Sequence, residues 1–89
     1  SDDFTYYENY VITRKDDNLH INSIYDLKYI NFVMWKDGYN DLGEEFYKLY
    51  NPFDGIYKQR YHDTMVQSND VRLFFSGKVD AIIIDKAIF

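Results

Sequence analysis

The stretch Ser76-Gly77-Lys78-Val79-Asp80-Ala81-Ile82-Ile83-Ile84-Asp85 constrains this chain more than any other. Upstream of it, Asn69 or Ser68 can cap a helix whose apolar residues Val71, Phe74 and Phe75 recur at i, i+3 and i+4. Gly77 supplies a left-handed residue to end that helix. Residues 79–84 are β-branched or small apart from Asp80, which predicts a strand covered on both faces. Asp85 then falls just past the strand's carboxyl end, where open α/β sheets gather ligand-binding groups. A helix, a turn, a buried strand and a carboxylate in that order point to a binding cleft.

The rest of the chain fits the same architecture. Residues 6–14 hold Tyr6, Tyr7, Tyr10, Val11, Ile12 and Thr13, a strand composition, and Lys15-Asp16-Asp17-Asn18 is a polar turn. Asn22 or Ser23 can cap a short helical turn over residues 24–28, and residues 30–35 form a second apolar run of strand length. Lys36-Asp37-Gly38-Tyr39-Asn40 is loop chemistry. A helix starting near Asn40 or Asp41 would bury Leu42, Phe46, Leu49 and Tyr50 as one stripe and close at Asn51-Pro52. After the Asp54-Gly55 turn, residues 56–61 read as a third strand, and residues 62–68 lead to the helix described first. The order strand, strand, helix, strand, helix, strand predicts an α/β fold of three layers, with helices on both faces of a mostly parallel sheet. Residues 1–89 form a single domain without internal repeat or linker.

Composition narrows the function. An 89-residue chain has little core to offset backbone ordering, yet 46% hydrophobic and 20% aromatic residues argue for a folded domain. The absence of Cys removes disulfides, thiolate catalysis and thiolate metal sites. A net charge of −5 and a pI near 4.7 disfavour nucleic acid and anionic membranes as partners. No apolar run approaches the roughly 20 residues needed to cross a bilayer. His20 and His62 stand apart from further metal-spaced ligands, and no Ser-His-Asp set, phosphate loop or paired carboxylate is present. No metal, cofactor or catalytic residue is therefore expected, and the chain does not read as an enzyme.

Asn22-Ser23-Ile24-Tyr25-Asp26-Leu27-Lys28, the strand ending at Trp35, Gly38-Tyr39-Asn40 opening a helix, and Ser76-Gly77-Lys78-Val79-Asp80-Ala81 with Asp85 beyond resemble family 3 extracellular solute-binding proteins. The resemblance implies one lobe, the inserted second lobe, of a bilobed type 2 periplasmic-binding-protein fold. It implies a periplasmic or extracellular location and capture of an amino acid or similar polar solute for an ABC transporter, by hinge closure against a partner lobe. Its implied partners are the small-molecule ligand and, through the full-length protein, a transporter permease or a signalling partner. A homodimer of the isolated lobe is also expected. The same fold occurs in the sensory domains of receptor kinases or cyclases and as a regulatory lobe of lytic transglycosylases, and these stand as the alternatives.

The resemblance also implies a ligand site. Gly38, Tyr39 and Asn40 occupy the strand-to-helix junction that binds a ligand α-carboxylate in the family, with Tyr39-Asn40 replacing the usual hydroxyl pair. Unpaired N–H groups at a helix start would favour that anion. Asp85 matches the carboxylate that accepts the ligand ammonium; the plain alternatives are Asn40 or Asp41 as an ordinary N-cap and Asp85 as a cap or turn residue beginning a further helix. Trp35, at a strand end, would cover an apolar part of the ligand or stack on a cation, or else belong to the core.

Overall fold

The computed structural model describes residues 6–64 and 67–88. Its sheet has four strands, β1 (Tyr6–Thr13), β2 (Phe32–Trp35), β3 (Tyr61–Thr64) and β4 (Ala81–Ile88), in the spatial order β1-β4-β2-β3. β2 runs parallel to β3 and β4, while β1 is antiparallel to β4 with Tyr6 opposite Ile88 and Thr13 opposite Ala81. Two α-helices, α1 (Glu44–Tyr50) and α2 (Gln67–Phe75), complete the fold together with short 3-10 turns. No described helix is long and apolar enough to cross a membrane.

The period of two along each strand sends successive residues to opposite layers. Phe32 and Met34 of β2 and Ala81 and Ile83 of β4 enter a core with Leu27, Phe46, Leu49, Tyr50 and Tyr61, on the α1 side. Val33 and Ile82 point the other way and meet Phe74 and Val79, on the α2 side. The central strands are therefore apolar on both faces, as a covered parallel sheet requires. The expected three layers are present.

Local chemistry sets the element ends. Ser23 is the cap of the 3-10 turn Ile24–Tyr29: its Oγ accepts from the Tyr25 N–H, and Asp26 Oδ2 accepts from the Ser23 and Asn22 N–H groups at 3.2 and 2.8 Å. At the end of α2, the Lys78 N–H donates to the Leu73 carbonyl and the Gly77 N–H to that of Phe74, with Gly77 at φ 81°. This is the glycine-terminated closure that the sequence predicts.

Four boundaries differ from expectation. α2 starts at Gln67, so Ser68 and Asn69 lie within the helix and neither is its cap. α1 starts at Glu44 rather than near Asn40 or Asp41, because Gly38–Asn40 closes its own 3-10 turn and Gly43, at φ 94°, redirects the chain before the helix. Residues 56–60 are not a strand. The N–H groups of Gly55, Ile56 and Tyr57 donate to the carbonyls of Asn51, Lys48 and Leu49, so this segment finishes the helix end, and β3 begins only at Tyr61. β4 starts at Ala81 and continues through Ile88, not residues 79–84. Asp80 is held outside it: its N–H donates to the Asn31 carbonyl, and its Oδ2 accepts from the Asn31 N–H.

Two polar devices close the ends of the layers. Arg14 donates to the carbonyls of Phe74 at 2.7 Å and Val79 at 3.0 Å, pairs with Asp17 at 2.9 Å, and lies over the Phe74 ring. Asn51, 1% exposed, donates to the Tyr47 carbonyl and to Asp54, and accepts from the N–H groups of Phe53 and Asp54. A buried amide with each side satisfied fixes the loop without leaving an unpaired polar group.

Candidate functional site

The parallel strands end together at Trp35 of β2 and Thr64 of β3, which are opposite one another. β2 and β4 are in register at Phe32 and Ala81. Carried forward, that register puts Trp35 level with Ile84 and Asp85 one step past the end of β2. Asp85 thus lies inside β4 rather than beyond it, because β4 outlasts the parallel strands by pairing with β1, where Asp85 is opposite Asn9. The side chain of Asp85 lies outside the described part of the structure. Its backbone occupies the carboxyl edge of the parallel sheet, where open α/β sheets bind ligands.

The loop that follows β2 supplies the neighbouring groups. Trp35 is half-buried, and its carbonyl accepts from the Tyr61 hydroxyl at 3.2 Å. Its indole lies against Gly38: a Cβ there would sit 2.6 Å from Trp35 Cε2 and 2.7 Å from Met34 Cε. The absence of a side chain at residue 38 is what lets the indole fold across the loop. Tyr39 is buried, and its ring packs among Tyr47, Phe53 and Tyr61 with centroids 5.9, 6.2 and 5.6 Å away. Tyr39 therefore anchors the loop to the core. Asn40 is exposed and lines a depression of about 330 Å³ with Gly43, Glu44 and Tyr47.

This geometry changes how an anion would be held. The N–H groups of Asn40 and Asp41 already donate to the carbonyls of Asp37 and Gly38 at 3.1 and 2.9 Å. They are not the free amides of a helix start, and α1 opens three residues after Asp41 with Glu44 and Glu45 in its first turn. The Asn40 side chain is the donor this loop presents to the depression.

The edge is acidic. Asp37 and Asp41 are exposed on the loop, Asp63 is exposed one residue before the end of β3, and Asp85 stands at the same end of the sheet. Burial, then Asp63, pushes the Tyr61 hydroxyl well above its ordinary value, keeping it a donor to the Trp35 carbonyl. A second cavity, of about 320 Å³, opens on the α1 side of the sheet between Asn9 and Val11 of β1, the segment 21–24, Leu42 and Phe46. It is mainly apolar, with amide and hydroxyl groups at its rim. Among the described residues, no group of three His, Asp or Glu could hold a metal ion.

The structure thus brings Trp35 at the end of β2, the following loop with Gly38, Tyr39 and Asn40, and the backbone of Asp85 to the same edge. Sequence reading took Asp37, whose φ of 63° starts the loop, as loop chemistry only and not as a site residue, and it passed over Asn9, which is opposite Asp85. The Asp37-Gly38 pair is itself a turn signal that could have found the first. Asn9 has no local signal, since its position depends on a partner strand at the other end of the chain.

No family model matches the sequence, and no curated protein matches it. Among solved structures, a glycine-to-alanine mutant of arginine-bound ArgBP from T. maritima is similar over 93% of this chain, with a TM-score of 0.67 and 19% identity. The match takes in 34% of that chain, so this one spans about a third of its length. The fold is that of one lobe of a periplasmic binding protein.

Proposed function

We propose that this chain is a ligand-binding lobe of an extracellular or periplasmic solute-binding protein, and that its ligand is a cationic amino acid of the arginine type. The observation that carries the reading is the acidic carboxyl edge, where Asp37 and Asp41 flank the turn that follows Trp35 and bears Asn40, Asp63 lies near the end of β3, and the Asp85 position stands at the same end of β4. Several carboxylates at one edge, with an indole face beside them, suit a guanidinium or ammonium better than an anion. The similarity to an arginine-bound protein supports the same ligand class.

In this account Asp85 accepts the ligand ammonium, Trp35 covers its apolar stem or cation, and the Asn40 amide donates to its carboxylate. Gly38 and Tyr39 position the loop. The remaining contacts come from a partner lobe, and closure is favoured by the ligand's differential affinity for the closed state. The 89-residue chain by itself should then bind arginine no better than about millimolar, an affinity worth about 4 kcal/mol. Isothermal titration tests this directly. Weak binding of arginine, reduced by Asp85→Asn and absent for glutamate, is the expected result, and micromolar binding to the chain alone would show that no partner lobe is needed.

A further inference from the structure

The cavity on the α1 side of β1 is separate from the loop at the carboxyl edge: its described lining shares no residue with the depression at Asn40, Gly43, Glu44 and Tyr47. It exists because the cover on that face is short. Val11 is opposite Ile83 and shares its face of the sheet, so both belong to the α1 side. α1 has only seven residues, a rise of about 10 Å, and packs its Phe46 ring on Phe32 of β2. Val11 is left 38% exposed where Ile83 is 3% exposed.

The cavity is concave into the core rather than a flat apolar face. Leu27, Phe46 and Ile83, all nearly inaccessible, form its inner wall, and half-buried Ile21, Ile24 and Leu42 its sides. None of the described residues lining it is ionisable, in a chain with 28% charged residues. Water inside finds few partners. Ser23 Oγ already accepts from the Tyr25 N–H at 3.2 Å, and the other polar side chains are the amides of Asn9 and Asn22 at the exposed rim. Such water is displaced favourably by apolar surface.

Size and lining select the occupant. The volume is about 320 Å³, against ~150 Å³ for an apolar cavity that takes one benzene, so two fused rings or one substituted ring fit. It lies at the lower end of ordinary ligand pockets, which combine apolar walls with a few placed polar groups. An ionised ligand would lose its hydration here without gaining a counter-charge, which separates this cavity from the acidic edge. A flexible chain of equal volume would lose more conformational freedom on entry than a rigid ring.

We propose that this cavity is a second ligand site, for a neutral aromatic molecule of one or two rings that buries its ring against Leu27, Phe46 and Ile83 and turns one hydrogen-bonding group to the Asn9 and Asn22 amides at the rim. This site does not depend on the reading of the carboxyl edge and stands whether or not arginine binds there.

Indole, neutral, bicyclic and carrying one N–H donor, is the probe. Methyl and amide chemical-shift mapping of the 89-residue chain during titration with indole tests the site without any substitution. Saturable changes at the methyl groups of Ile24, Leu27, Leu42 and Ile83, unaltered by excess arginine, are the expected result. Val11→Trp adds bulk at a partly exposed rim position and fills the mouth, so it should weaken indole by about tenfold or more in a chain whose amide spectrum is still that of the folded protein. Phe75→Ala, on α2 and 76% exposed in the original chain, should leave indole binding unchanged. Changes that do not saturate, or that centre on exposed aromatics such as Phe75, would overturn the proposal as general adhesion to apolar surface. Displacement of indole by arginine would overturn the cavity as a second site, and full indole affinity in a folded Val11→Trp chain would overturn its location.

Discussion

The two sides of the sheet are built from neighbouring residues of the same strands yet hold together differently. On the α1 side, Phe32 meets Phe46, Tyr50 and Tyr61 with ring centroids 6.1, 5.2 and 5.9 Å apart, and Tyr39 continues the cluster into the site loop. On the α2 side, the core is Val33, Phe74, Val79 and Ile82, and a guanidinium on two carbonyls secures its end. The first side is held by area and ring geometry, the second by a small core plus directional bonds. Since Tyr39 belongs to the aromatic side, the candidate site should inherit its rigidity from that side.

The largest expected contrast comes from adjacent truncations. Phe32→Ala should cost about 3–5 kcal/mol and Val33→Ala about 2 kcal/mol, measured by urea unfolding. Equal losses would mean that the two cores do not differ in the way described. Alkaline pH should also separate the sides. Burial first, then Tyr57 and Asp26, pushes the Tyr50 hydroxyl up to about 12, and burial raises Tyr61 as well. The folded state holds these protons more tightly than the unfolded chain does, so stability is full below pH 10 and falls as pH rises toward 12. Tyr50→Phe should flatten that fall, and a chain that gains stability between those values would contradict the assignment.

Arg14→Lys probes the other side. A lysine cannot span both carbonyls and the Phe74 ring, so a loss of about 1–2 kcal/mol is expected, with faster amide exchange at the end of α2. The smallest effect on stability should come from Gly38→Ala, about 1 kcal/mol, since the added methyl meets movable side-chain atoms of Trp35 and Met34. It should nevertheless shift the emission of Trp35, the chain's single tryptophan. Unchanged emission would show that the indole does not lie across residue 38.

Much of the scaffold was legible because its signals are local. Gly77 ends α2, Ser23 caps the 3-10 turn, Asn51-Pro52 closes α1, and the alternation through residues 32–34 and 81–83 gives the two buried faces. The failures were tertiary. Residues 56–60 have strand composition, but the carbonyls at the end of α1 capture their N–H groups. Asp80 sits in an apolar run, yet Asn31, 49 residues away in sequence, holds it outside β4. For the candidate site, the sequence offers residue names but not their arrangement. Tyr39 and Asn40 are adjacent, but one ring is in the core and the other side chain lines the depression, and periodicity gave no reason to separate them.

The central claim is that the carboxyl edge of the parallel strands binds a cationic amino acid. Amide chemical-shift mapping of the 89-residue chain during titration with arginine tests it most directly. The account predicts saturable changes confined to residues 35–41, Asp63 and Asp85, together with the indole N–H of Trp35. Changes centred on α2, or none at any arginine concentration while the Trp35 and Asp85 amides remain observable, would contradict it.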